Sequence, residues 1–457
     1  MLKKFMFLGG CLLTLIGLLP PAVSLYQFTG EETFLSQARG SLQWAYTAIR
    51  PAPQLRPFPG DVDSADASTD VPPFGMNVFL QTEPLPEVRD ETLRMVKAAG
   101  FGLIRQQFVW EDIEIHAKGD FEDRRNVEAI GVVNAWVKYD NIVELAEKHD
   151  LEILARIDNP PTWTRAMTNT IGTLAPPDNY ADYGDFVEAV VSRYDGRITY
   201  FQLWNEPNIY PEWGEQWVDP EAYTALMCEG YRRAKAVNPD AVILSGTMAP
   251  TVALNYRDLN DLIYLERMYA AGAADCFDIL SVQGYGLWSG PTDQRLRPTV
   301  INYPHNLLLR DVMVANGDAH KPIWISEFGW NSVPDGLPQS YGQVSEEQKG
   351  RYALDGYERQ LREWPWVEAG AYWFIKRPTD TEVNEPFYYF RLLEPNFEPL
   401  ESYTIIADRL PSLEPVAPRS ALWHSWQGTR RYFALSGLAL LIFSVTLWIA
   451  KEEEEKE

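Results

Sequence analysis

From position 74 onward the chain alternates short apolar runs, rich in β-branched and aromatic residues, with longer stretches whose apolar positions recur at helical spacing. The runs predict strands at 74–80, 103–108, 151–157, 198–204, 241–245, 279–283, 322–326 and 370–374. The stretches between them predict helices. The first covers 88–99 and is stopped by Gly100. A second is capped by Asp140 and carries Ile142, Leu145 and Ala146 on one face. A third carries Phe186, Val187, Val190 and Val191, and the rest cover 220–237, 259–271, 306–316 and 345–364, with a closing helix at 403–410. Strands separated by helices pair in parallel through crossovers, so the pattern predicts an α/β fold of eight units, a (β/α)8 TIM barrel over residues 73–410.

The two ends follow other patterns. Lys3 and Lys4 precede an apolar run from 5 to 19, broken by Pro20 and Pro21. Residues 1–25 therefore read as a signal peptide, with Ala22 and Ser24 spaced for cleavage, or as an uncleaved N-terminal anchor. The sequence leaves both open. A lipoprotein reading at Cys11 is weaker, because the main apolar run follows that cysteine. Residues 26–72 predict a short amphipathic helix at 31–49, with Phe34, Leu42, Trp44 and Tyr46 as its apolar content, and a solvated linker at 51–73 rich in Pro, Asp and Ser.

After a linker at 411–431 comes an almost unbroken apolar run at 432–450, followed by a charged tail at 451–457. A helix of that length spans about 28 Å, near the thickness of a bilayer's hydrocarbon core, and predicts a transmembrane segment. Arg430 and Arg431 flank it on the barrel side, against the positive-inside tendency. The first apolar segment usually sets orientation, however, and large domains translocate largely regardless of charge. The expectation is a cell-membrane protein with its barrel outside the cytoplasm.

A formal charge of −24 over 457 residues disfavours nucleic acid and anionic lipid as partners. Cys228 and Cys276 are expected as two free, buried thiols, although pairing in an oxidising compartment stays open. The five histidines lack metal-ligand spacing, so neither a metal nor a cofactor is expected.

Two runs stand apart: 200–208, reading Tyr-Phe-Gln-Leu-Trp-Asn-Glu-Pro-Asn, and 322–330, reading Pro-Ile-Trp-Ile-Ser-Glu-Phe-Gly-Trp. Each is a strand that delivers one glutamate at its carboxyl end, Glu206 or Glu327. Pro207 biases Glu206 toward an extended conformation, and Gly329 permits a sharp turn beyond Glu327. Catalytic groups of this fold come from the carboxyl ends of strands. Two carboxylates flanked by Trp204, Trp324 and Trp330 suit glycosidic bond cleavage, which needs a protonated acid on the leaving oxygen and an ionised carboxylate facing the anomeric carbon.

Trp-Asn-Glu-Pro at 204–207 and Ser-Glu-Phe-Gly at 326–329 resemble the acid/base and nucleophile motifs of the clan A retaining glycoside hydrolases, closest to family 39 with family 5 as neighbour. The resemblance covers roughly 72–410. It implies Glu206 as general acid/base and Glu327 as nucleophile, Arg105 beside the nucleophile, Asn205 on the sugar 2-hydroxyl, Tyr285 bonded to the nucleophile, and Trp373 as the platform under the sugar. Clan members often carry His two residues before that tyrosine; here the position is Gln283. Trp163, Trp213, Trp217, Trp288 and Trp330 are candidate subsite walls in predicted loops, Trp163 and Trp330 foremost. The expected activity is O-glycoside hydrolysis with retention, of β type, on an oligo- or polysaccharide. The alternatives are a non-catalytic membrane-anchored glycan-binding protein and a transglycosylase.

Overall fold

The structure, a computed structural model, describes residues 2–18, 25–47, 71–166, 172, 174–297, 299–413 and 421–454. The expected cleavage position at Ala22 and Ser24, nearly all of the 51–73 linker, residues 414–420 and the last three residues of the tail lie outside the described residues.

Eight strands form the central sheet: β1 Phe74–Val78, β2 Leu103–Val109, β3 Glu152–Asp158, β4 Tyr200–Asn205, β5 Val242–Thr247, β6 Leu280–Tyr285, β7 Ile323–Gly329 and β8 Val367–Tyr372. Their order is β5-β4-β3-β2-β1-β8-β7-β6, with every pairing parallel. The bridges Leu244–Ile279 and Met248–Val282 join β5 to β6, so the sheet closes into a barrel. Inward-facing residues sort by height. Leu103, Leu154, Tyr200, Leu244, Ile279, Trp324 and Ala369 form a small apolar plug from the amino-terminal parts of the strands. Two residues further on come Arg105, Gln202, Ser281 and Ser326, all buried and polar. A dry floor thus lies under a hydrogen-bonded layer, and that layer carries the site above it.

The outer helices bury their apolar faces against the sheet. Ser345 and Gln348 form a reciprocal capping box at the start of Glu346–Glu363, and Asp219 caps Pro220–Val237, where Pro suits the first turn. Asp140 is not a cap. The helix Val137–Lys148 starts earlier because the Asn134 side chain accepts from the Trp136 N–H (3.0 Å), and Asp140 in its first turn pairs with Arg193 (2.5 Å).

Cys228 and Cys276 form a disulfide, with Cα atoms 4.8 Å apart, which corrects the expectation of free thiols. The helix Pro220–Val237 packs beside the Ala273–Cys276 turn, a proximity across 48 residues that spacing alone does not reveal.

The N-terminal segment also differs from expectation. The helix Phe34–Thr47 leaves Phe34 and Leu42 exposed, the side chains of Trp44 and Tyr46 lie outside the described ones, and polar contacts fasten the segment. Arg295, fully buried, bonds Asp293 (2.7 Å), Glu31 (2.8 Å), Gln43 (2.7 Å) and the Thr29 carbonyl (3.1 Å). Gly290 N–H donates to the Gly30 carbonyl (2.8 Å), and Glu32 pairs with Arg351 (2.7 Å). Residues 25–47 are thereby fastened to the loop after β6 and to the helix Glu346–Glu363.

The apolar helix Leu2–Leu18 packs against the long helix Ala421–Glu454, which contains the 19-residue apolar span Tyr432–Ala450. A Cβ on Gly437 would lie 2.7 Å from the Gly10 carbonyl, and one on Gly10 would lie 3.0 Å from that of Gly437. Gly10 also meets Leu441, and Thr14 meets Gly437, so the two helices run antiparallel with their backbones in close approach.

Reduction is expected to matter for stability. Cys228→Ser should lower the unfolding free energy by about 2–4 kcal/mol, and thiol alkylation of the unfolded, unreduced protein should leave residues 228 and 276 untagged; tagging of both would show the bond absent.

Candidate active site

Alternation alone would aim neither Glu327 nor Asn205 into the barrel. On β7, Trp324 and Ser326 face inward, so Glu327 would face out, but a register shift between Val282–Ile325 and Gln283–Glu327 lets consecutive residues share the inner side. On β4 the reversal comes from Trp204, at φ 83°. Its ring turns out among the helices, against Tyr183 and Trp213, with Nε1 donating to the Glu212 carbonyl (2.9 Å), and Asn205 takes the inward position.

Glu206 is not extended as its place before Pro207 suggested; φ is 39°, in the left-handed region. Such backbone costs of order 1–3 kcal/mol and persists where its surroundings fix it. Here the Glu206 N–H still donates to Thr247 (2.8 Å), continuing the ladder.

Arg105 organises the layer below. Its guanidinium pairs with Glu327 (2.6 Å) and bonds Gln202 (2.7 Å), Asn77 (3.0 Å) and Asn205 (2.8 Å), so four neutral or acidic acceptors surround one fully buried cation. Burial pushes its pKa down, and Glu327 opposes that. Glu327 also accepts from the Tyr285 hydroxyl (2.9 Å) and from Gln283 Nε2 (3.0 Å). The same Gln283 nitrogen donates to Glu206 Oε1. Burial, then the neighbouring Glu327 and Glu212, push Glu206 well above the usual carboxylate range, a setting for a protonated acid. Burial likewise raises Tyr285, which remains a hydroxyl donor.

Above Arg105, which does not itself line it, opens a cavity of about 610 Å³ at the carboxyl ends of the strands. Trp373, one residue past β8, is part of its wall, with Phe79 edge-on at 5.4 Å. Asn205, Tyr285, Glu206 and Glu327 all line it. Trp163 does not: its Nε1 donates to the Glu114 carbonyl (2.8 Å) and its ring meets Trp110, so it anchors a loop. Trp330 is corrected likewise. It is fully buried, bonds the Ser289 carbonyl (2.8 Å) and packs on Tyr303 and Tyr352, holding the β6 loop from beneath. Trp213 is also core, whereas Trp217 and Trp288 are exposed. Among the described residues no cluster of His, Cys, Asp and Glu has the makings of a metal site.

No protein-family model matches the chain, and no curated protein matches it. Solved structures do. A family 39 glycoside hydrolase from the gut symbiont Bacteroides cellulosilyticus WH2 is 22% identical with a TM-score of 0.54, covering 75% of this chain and 64% of its own. A GH5_18 protein from Streptomyces cattleya, solved with GlcNAc, is 16% identical with a TM-score of 0.55, over 76% and 82%. A GH39 β-xylosidase from Caulobacter crescentus is 17% identical with a TM-score of 0.51, over 75% and 73%. The barrel shares its fold with these glycoside hydrolases. This chain spans just under two thirds of the Bacteroides protein's length.

Within this barrel stand several site residues that sequence reasoning did not single out. Asn77 donates to the Ser326 carbonyl (2.9 Å) while accepting from Arg105, and Gln202 passes the network on to Ser281 (2.8 Å). Arg156 and Asp158 form an ion pair (2.8 Å) at the end of β3. Arg377 lines the cavity over Phe79 (4.1 Å) and pairs with Glu382 (2.8 Å). Glu212 is a third carboxyl at the cavity, beside Asn205; burial pushes it up to about 7, against the pull of Arg156. A charged residue in a strand is a signal, whereas neutral polar residues in strands and an acid in a loop are not.

Glu212 links stability to pH. Its unfolded carboxyl ionises near 4.5 and its folded one near 7, so between those values the folded state binds more protons and stability falls as pH rises. Glu212→Gln removes that slope, and its Tm relative to the parent should climb between about pH 4.5 and 7. A pH-independent difference would contradict this.

Proposed function

We propose that the protein is a retaining β-glycosidase acting on an oligo- or polysaccharide, with Glu327 as nucleophile and Glu206 as general acid/base. The observation that carries this reading is the shared donor: Glu206 and Glu327 both accept from Gln283 Nε2. Two oxygens on one nitrogen lie within roughly 6 Å of each other. Retention needs carboxyls about 5–5.5 Å apart, whereas inversion leaves room for a water at roughly 6.5–9.5 Å.

In the first step Glu327 attacks the anomeric carbon as Glu206 hands its proton to the departing oxygen, giving a covalent glycosyl ester and a free leaving group. Arg105 and Tyr285 hold Glu327 in place for attack. In the second step Glu206, now ionised, takes a proton from water, whose oxygen attacks the same carbon and releases Glu327. Asn205 Oδ1 is committed to Arg105, which turns its amide nitrogen toward Glu212 and the cavity, where it meets the sugar 2-hydroxyl. Trp373 supplies the surface under the ring.

The placement is an extracytoplasmic barrel on a membrane anchor. The antiparallel pair of apolar helices supports an anchor, and the Cys228–Cys276 bond supports an oxidising compartment.

A 2-fluoro glycoside of the accepted sugar should label Glu327; labelling elsewhere, or turnover that survives Glu327→Ala, would overturn the assignment. Glu206→Gln should lower kcat on poor leaving groups by about 10²–10⁴-fold and abolish the basic limb of the pH profile, which lies well above the ordinary carboxylate value because Glu206 is raised. Protease added to intact spheroplasts should degrade the barrel, and full protection would place it inside.

A further inference from the structure

Trp217 and Tyr256 are each 66% exposed, yet their rings stack face to face with centroids 4.2 Å apart and planes 17° from parallel. Two large aromatics left in water as a stacked pair are unlike the single apolar residues that scatter over any surface. Stacking covers one face of each ring and leaves the outer faces open. The pair is fixed from below, since the Val218 N–H donates to the Tyr256 carbonyl (3.0 Å). Polar groups border it: Glu215 accepts from Tyr210 (2.7 Å) and from Arg257 (2.8 Å), and the Arg257 guanidinium lies over the Tyr210 ring (4.2 Å).

Position gives the pair its meaning. Trp217 belongs to the loop after β4 and Tyr256 to the loop after β5. Those same two loops line the catalytic cavity at Ile209, Glu212, Ala249 and Pro250, and Asn208 ties them together by donating to the Ala249 carbonyl (2.8 Å). The rim they build is the one that follows Glu206, the group facing the leaving oxygen. A rigid apolar surface edged with hydrogen-bonding groups suits a pyranose, which has a C–H face and a hydroxyl perimeter.

We propose that Trp217 and Tyr256 form a distal binding platform for a sugar ring on the leaving-group side, which makes the substrate a glycan chain extending beyond the cleaved bond rather than a glycoside of a small aglycone. This rests on the assignment of Glu206 as the acid/base. The platform lies outside the reacting centre, and its contribution grows with chain length.

The test uses the full chain, ladders of β-linked xylose, glucose and mannose from disaccharide to hexasaccharide, and the aryl glycoside of whichever sugar is accepted. Trp217→Ala and Tyr256→Ala should each raise KM for the longer members about tenfold while leaving kcat/KM on the aryl glycoside and the disaccharide within about twofold of the parent, and Trp217→Phe should restore most of the loss. An equal loss on every substrate, or none on any, overturns the platform. Affinity electrophoresis of the Glu327→Ala protein in gels containing xylan, glucan or mannan reads binding without turnover. Retardation that is lost with Trp217→Ala supports the platform even if hydrolysis fails, and retardation indifferent to Trp217, or absent in all three, counts against it.

Discussion

One buried guanidinium sets the terms for everything above it. Arg105 sits at the centre of a closed barrel with no access to water, where an unpaired charge would cost several kcal/mol. Its neighbours answer that cost from separate strands: Asn77 on β1, Gln202 and Asn205 on β4, Glu327 on β7. Satisfying the cation therefore fixes the relative register of those strands at the height where the cavity begins. Glu327, the nucleophile of the proposed reaction, is also the counter-ion the barrel needs. Fold stability and site geometry draw on the same ion pair.

The two carboxyls receive opposite treatment from nearly one location. Glu327 is surrounded by donors that complement negative charge, while Glu206, two hydrogen bonds away through Gln283, is buried beside two other acids. Gln283 is neutral at every relevant pH, so the link between them does not itself titrate. A histidine at that position would add a charge that switches near neutrality and would act on both acids at once.

The barrel itself was legible, since apolar runs bounded by turns mark buried strands to within a few residues, and the Glu206 and Glu327 motifs stand at their ends. Arg105 was legible because a charge in an apolar strand demands a partner. The inward aim of Glu327 and Asn205 was not, because it comes from a β7 bulge and a positive φ at Trp204, both of which break the period that sequence reading relies on. Trp330 and Trp163 show a second limit: a loop tryptophan reads alike whether it faces the cleft or props the loop from behind. The Cys228–Cys276 pairing and the polar seating of residues 25–47 are contacts between distant segments, without a local pattern.

The connection between the barrel and its C-terminal helix has a consequence for reach. The apolar span begins at Tyr432, so the tether consists of residues 414–420, at most about 25 Å even fully stretched, and the helical residues 421–431, about 16 Å more. With that span in a bilayer, as proposed, the tether holds the barrel within a shell about 40 Å deep above the hydrocarbon core. For the proposed glycosidase, freely diffusing glycans would pass through that shell only briefly, whereas polymers growing from, or resting on, the cell's own surface would be within its grasp continuously.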